Sequence, residues 1–179
     1  LDYHQDSSLL ALGGGTGEVK VWDVSARESL VTFDSQEAEV NVLEISPDAR
    51  LLASSGIEGI VTVWDWRERQ LIGQIDLEGA TISRMAFSPD SQRLAVATTD
   101  NISLWRIHEG GVEFEYTLET GRGGATSVMR FSPDGRYLVN GGAIPEMTLW
   151  DGETGDLLAL LPRVGQQRVS AAFSPDSSL

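Results

Sequence analysis

His4 and His108 are the only histidines among the 179 residues, and the chain has no cysteine. Without thiols there is no disulfide, thiolate metal site or Cys nucleophile. An imidazole base needs a serine and a carboxylate arranged around it, and nothing in the sequence marks such a serine. His4 falls in a turn position and His108 in the turn His108-Glu109-Gly110-Gly111, so both are expected to be solvated loop residues. Gly13-Gly14-Gly15-Thr16-Gly17, with Lys20 close behind, has the composition of a phosphate-cradling loop. That chemistry requires Lys directly followed by Ser or Thr at the start of a helix. Here the residues that follow are strand-like, and the expectation is a loop between two strands. Regularly placed carboxylates recur once per stretch of about forty residues, too far apart for the single oxygen cage of a hard cation. No catalytic residue, cofactor site or metal ligand is assigned, and no cofactor is expected.

The charge balance narrows the partners. With 27 acidic and 13 basic residues the formal charge is −14, which repels nucleic-acid phosphates and anionic lipid. Nucleic acid and membrane are therefore not expected as partners. Twelve of the 13 basic residues are arginine, which fits a GC-rich genome or, alternatively, adaptation to salt. The lack of cysteine leaves the compartment open, with the cytoplasm favoured.

The elements that would position any site follow from two markers in phase. Val21-Trp22-Asp23 returns as Val63-Trp64-Asp65, Leu104-Trp105-Arg106 and Leu149-Trp150-Asp151, at Trp-to-Trp steps of 42, 41 and 45 residues. Ser46-Pro47-Asp48 returns around Asp90, Asp134 and Asp176, and His4-Gln5-Asp6 extends the series as a worn copy. A fixed period makes a repeat architecture the first expectation. In the second copy, strands are predicted at Val40–Ile45, Leu51–Ser55, Ile60–Trp64 and Leu71–Ile75. The second of these is apolar at consecutive positions, as in a strand buried on both faces. The interval from turn Asp to Trp is 16, 16, 15 and 16 residues, and from Trp to the next Asp 26, 26, 29 and 26. Three extra residues therefore follow Trp105, expected in its Gly-rich turns. Fourth strands are more polar. Glu113, Glu115 and Glu119, alternating with Phe114, Tyr116 and Leu118, are expected on a solvated face.

These residues resemble the WD40-repeat β-propeller family: the Trp-Asp turn, the hairpin with Phe87, Phe131 or Phe173 before Ser-Pro-Asp, and the period. The resemblance implies an all-β fold of four-stranded antiparallel blades around a channel. About four blades are expected, at approximately 1–34, 35–76, 77–119 and 120–162, with a fifth beginning at 163–179 of the single segment 1–179. Trp22, Trp64, Trp105 and Trp150 would supply packing within and between blades. Asp23, Asp48, Asp65, Asp90, Asp134, Asp151 and Asp176 would serve turns. Trp66, outside this register, is expected on the surface. Many family members add a His and a loop Asp that complete a buried hydrogen-bond network with a Ser and the Trp. Here the His positions hold Gln36, Glu78, Arg122 and Val164, and the Asp positions Thr16, Glu58, Thr99 and Ile144. Apolar packing must therefore carry more of the stability. Such degenerate repeats resemble those of bacterial members.

Closed propellers use roughly 4–8 blades, so the ring is expected to be incomplete, a piece of a longer propeller lacking about two to four blades. Missing blades of the same chain, or a second copy making an eight-bladed ring, would complete it. The family's usual partner face carries the loops from fourth to first and from second to third strands. By position it holds Glu37, Glu39, Glu58, Glu78 and Asp100, with Arg122, Arg163 and Arg168 toward the C-terminal end. The resemblance thus implies a non-catalytic scaffold presenting loops to other proteins or peptides, basic ones included, within a larger signalling or assembly protein. The alternative is the propeller domain of an enzyme, quinoprotein-like or hydrolase-associated, since Trp150 to Gly155 resembles a turn of quinoprotein blades.

Overall fold

Each copy of the repeat folds as one sheet. The computed structural model describes residues 1–4, 8–34, 39–119, 125–142, 146–162, 170–175 and 177. The first sheet holds β1 (Asp2–His4), β2 (Leu9–Gly13), β3 (Glu18–Asp23) and β4 (Glu28–Asp34). The second holds β5 (Val42–Ile45), β6 (Leu51–Ser55), β7 (Ile60–Asp65) and β8 (Gln70–Asp76). The third holds β9 (Ile82–Phe87), β10 (Arg93–Thr98), β11 (Ile102–His108) and β12 (Gly111–Leu118). The fourth holds β13 (Thr126–Phe131), β14 (Tyr137–Gly142), β15 (Glu146–Asp151) and β16 (Leu157–Pro162). Strand order in every sheet is chain order, and every pairing is antiparallel. These are propeller blades set side by side through their first strands, and among the described residues they do not close into a ring. β5 starts two residues later than predicted because Val40 N–H donates to Gly14 O of the first sheet instead of joining its own ladder.

The two markers are turn chemistry. Ser46 Oγ donates to Asp48 Oδ1 at 2.5 Å and accepts from Leu51 N at 2.8 Å. Ser88 with Asp90 and Ser132 with Asp134 repeat this arrangement. The Trp-Asp carboxylates cap the following turn: Asp23, Asp65 and Asp151 each accept two backbone N–H groups through Oδ1. Burial alone would raise the Asp65 carboxyl. The Glu68 N–H and the Arg50 guanidinium, 2.6 Å away, outweigh burial and hold it below the usual carboxylate range.

The core lies between sheets. Leu9, Ala11, Val21 and Val31 of the first sheet pack on Leu43, Ile45 and Leu52 of the second, and equivalent clusters fill the next two seams. Burial follows coverage. All five residues of β6, flanked by two sheets, are buried, whereas β2 alternates because its other face has no neighbour. Side chains at Trp positions face the preceding sheet, as in the Phe33–Trp64 pair with centroids 5.1 Å apart.

Trp66 corrects the sequence reading. It is buried in the first seam, and its indole N–H donates to Ala49 O at 3.1 Å. Its repeat equivalents are Val24, Ile107 and Gly152, a position that faces the preceding sheet. Ile107 is buried there, and Val24, with no preceding sheet, is exposed. At Gly152 a Cβ would meet Gly135 O of its own sheet at 2.5 Å, and at Gly155, with φ +78°, one would meet the Tyr116 ring of the preceding sheet at 2.6 Å. Packing therefore accounts for the glycines of the Trp150–Gly155 turn.

The expected alternation in β12 also fails. Each third–fourth strand pair carries a bulge beside its Trp, leaving Leu30, Ile72, Glu115 and Leu158 unpaired. A bulge resets which face the following residues occupy. Phe114 is thereby exposed, set edge-on to Trp105, while Glu115 turns inward to an ion pair with Arg106. Glu115 is thus no solvated residue: it answers the cation that replaces the Trp-Asp carboxylate in this blade. Two of the three extra residues after Trp105 fall in this hairpin, whose ladder runs two pairs further than in the first two blades, Ile107 with Val112 and His108 with Gly111.

The missing family network is partly replaced. In the fourth sheet Trp150 Nε1–H donates to Asn140 Oδ1 at 2.7 Å and to Thr148 Oγ1 at 3.0 Å, all three residues being buried. Trp105 Nε1–H donates to Ser103 Oγ. Trp64 Nε1 and Ser54 Oγ are buried without a partner among the described residues.

Two pairs of substitutions test these assignments in urea unfolding. Trp66→Ala should cost about 3–5 kcal/mol, while Val24→Ala at the equivalent position should stay within about 0.5 kcal/mol; equal effects would contradict the seam role. Arg106→Asp should cost about 1–3 kcal/mol by leaving Glu115 unpaired, and adding Glu115→Leu should restore most of it. A double variant no better than the single one would separate the two residues.

Candidate functional site

Chain-order sheets place their loops at two ends. The loops after β2, β4, β6, β8 and β10 gather at one end, and the Ser-Pro-Asp and Trp-Asp turns at the other. Glu39, Glu58, Glu78 and Asp100 all lie in loops of the first end, and all are exposed. Among the described residues none of these four carboxylates forms an ion pair. The loops of Glu58, Glu78 and Asp100 are held by hydrogen bonds. Leu77 N–H donates to Gly59 O at 3.0 Å, tying the Glu58 loop to the Glu78 loop, and Glu78 N–H donates to Asp76 Oδ1 at 2.8 Å. Asp100 N–H donates to Thr98 Oγ1 at 3.2 Å. Glu37, Arg122, Arg163 and Arg168 lie outside the described residues, as do Gln36, Val164, Ile144 and Asp176.

The residues that first suggested chemistry have structural tasks. His4 ends β1 rather than lying in a loop, and its Nε2 is 2.9 Å from Pro47 O of the second sheet. His108 ends β11 and accepts the Gly110 N–H through Nδ1. The glycine run joins β2 to β3, with Gly14 N–H on Glu18 O, and Lys20 pairs with Glu18 at 3.2 Å. Among the described residues no three His, Asp or Glu side chains come together as a metal cage requires.

Sequence reasoning missed a second charged site, in the channel formed by the first strands. A cavity of about 760 Å³ is lined by Asp2, Glu44, Arg84 and Arg130 and, at the turn end, by Pro47, Pro89 and Pro133. Asp2, Glu44, Ala86 and Arg130 occupy one repeat position, the residue before the Phe of the hairpin. The signal was therefore present as a sign change, from acidic in the first two blades to basic in the fourth. Asp2 Oδ2 accepts the Ile45 N–H at 2.8 Å, and Arg84 Nε–H donates to Ser127 O at 3.1 Å, so both also stitch neighbouring sheets. Burial pushes the Glu44 carboxyl up to about 8, and Asp2 adds to the rise, while Arg130 and Arg84 oppose it.

Comparison with known proteins places this geometry. Residues 27–65 match the family model for the WD domain, G-beta repeat. The guanine nucleotide-exchange factor SEC12 of Rattus norvegicus is 38% identical over 45 residues, which are 25% of this chain and 11% of that protein. A chain in the crystal structure of the mitotic checkpoint complex superposes with a TM-score of 0.70 at 21% identity, over 83% of this chain and 47% of that one. The chain thus spans about half the matched structure and about a tenth of the curated relative.

Glu44 yields a pH prediction. Its folded pKa lies above the unfolded value of 4.5, so the folded state holds a proton that the unfolded chain releases. Stability should fall as pH rises from about 4.5 to about 8 and level off above, with a slope of at most about 1.4 kcal/mol per pH unit from this group. Glu44→Gln should remove that component and be the more stable protein at pH 9. Identical urea midpoints for both proteins at pH 5 and pH 9 would contradict the assignment.

Proposed function

We propose that this WD40-repeat β-propeller chain is a non-catalytic scaffold that presents loops to partner proteins, basic peptides in particular. The family is generally one of protein-interaction scaffolds and is generally non-enzymatic. The observation that carries the finer reading is the set of four exposed carboxylates, Glu39, Glu58, Glu78 and Asp100, unpaired among the described residues and set on loops at one end of the sheets. Fixed backbone bearing unneutralised charge favours association with cationic partners and speeds encounter more than it deepens affinity. The chain's −14 charge reinforces that steering.

The matched structure belongs to a multiprotein complex and the curated relative is an exchange factor. Work within a larger signalling or assembly protein is consistent with both. Exchange activity is not carried over, because the shared stretch has the length of one blade. Tyr3, Val24 and Leu161 are exposed, whereas their repeat equivalents Ile45, Ile107 and Ile75 are buried against a neighbouring sheet. Further blades of the same protein, or a second copy, cover these positions. A scattering profile of a compact closed ring from a single 179-residue chain would exclude both.

The charge reading is tested with Glu58→Lys and Glu78→Lys together. A fluorescent hexalysine peptide should bind the parent chain, more weakly as salt rises, and bind the double variant at least tenfold more weakly with an unchanged unfolding midpoint. Undiminished binding by a folded variant would refute the assignment to this end.

A further inference from the structure

The channel site differs in sign from the loop end. Only 13 residues of the chain are basic, yet two of them, Arg84 and Arg130, line one cavity from adjacent sheets. Both are exposed to it. Arg84 spends Nε on Ser127 O and Nη1 on Ser83 O, and its Nη2 makes no hydrogen bond among the described residues. Arg130 makes no hydrogen bond among the described residues. The acids that face them are already committed. Asp2 on β1 accepts the Ile45 N–H, and Glu44 on β5 is protonated at neutral pH because its carboxyl is raised to about 8. A protonated carboxyl is a hydrogen-bond donor rather than an anion. Val42, Val128, Phe131 and the three turn prolines add apolar surface to a lining that is mostly polar.

We propose that the turn-end mouth of the channel is a binding site for an acidic peptide segment, whose carboxylates pair with Arg84 and Arg130. Guanidinium–carboxylate pairs suit such recognition because the donor fork matches both oxygens. The apolar part of the lining, Val42, Val128 and Phe131, accepts the peptide's aliphatic stems. The rest of this acidic protein repels the same ligand, whereas here two arginines from adjacent sheets are brought to one cavity. The two ends of the blades then select opposite partners, basic at the loop end and acidic at the channel mouth.

The test uses a fluorescein-labelled hexaglutamate peptide and the whole chain, read by anisotropy at low salt. Arg130→Gln is the decisive variant, since the Arg130 side chain bonds to no backbone and its loss leaves strand pairing alone. It should weaken binding at least tenfold, Arg130→Lys should recover part of the loss, and Arg27→Gln, outside the cavity, should change nothing. Raising the pH from 6.5 to 9 should weaken binding severalfold in the parent, as Glu44 ionises beside the two arginines and Asp2, but not in Glu44→Gln. Parent-like binding by a folded Arg130→Gln chain would overturn the proposal. So would displacement of the peptide by inorganic phosphate at equal concentration, which would make the site one for a small anion. Neither result bears on the glutamates of the loop end, so the two readings stand or fall separately.

Discussion

A four-stranded sheet with apolar side chains on both faces has to be covered twice. This requirement governs the chain more than any single contact, because no blade has a core of its own. The clusters that bury Leu52, Leu94 and Leu138 each draw residues from two adjacent sheets. Polar bonds follow the same step. Ile45 N–H reaches Asp2, Asp48 N–H reaches Ser91 Oγ, Arg84 reaches Ser127 and Asp134 N–H reaches Ser177 Oγ, each joining one repeat to the next. Each seam thus combines an apolar interior with hydrogen bonds at its channel-side strands and turns.

Where a copy departs from the pattern, a neighbour compensates. Arg106 replaces a turn carboxylate, and Glu115 replaces the apolar bulge residue of the other blades. Gly152 replaces the large residue that fills the seam elsewhere, and Tyr116 and Arg93 of the preceding sheet both donate to its carbonyl. The family's buried network is absent, and Asn140 with Thr148 takes over its task for Trp150. Repeats drift in this way when each position is constrained by its seam rather than by a function of its own.

The same logic explains what the sequence disclosed. Strand number, order and turn chemistry were legible because Trp and Ser-Pro-Asp recur with fixed spacing, and fixed spacing is what packed strands impose. Trp66 was misread because its equivalents, Val24, Ile107 and Gly152, share a place but no chemistry. Glu115 was misread because one unpaired residue inverts an alternation, and a bulge leaves no composition signal. Glu44, Arg84 and Arg130 were overlooked because they stand on strands far apart in sequence, and only the arrangement of first strands brings them to one cavity. The loop carboxylates were visible as positions, while their lack of ion-pair partners required coordinates.

Two unlike charged surfaces therefore sit on a scaffold whose order is set by neighbours. Amide hydrogen exchange of the 179-residue chain tests that scaffold most directly. If coverage by adjacent sheets sets stability, amides of β6 and β10 should exchange at least tenfold more slowly than those of β2 and β16, a difference of about 1.4 kcal/mol in opening free energy. Equal protection of all four strands would mean that each sheet is stable on its own, contradicting the dependence on neighbours.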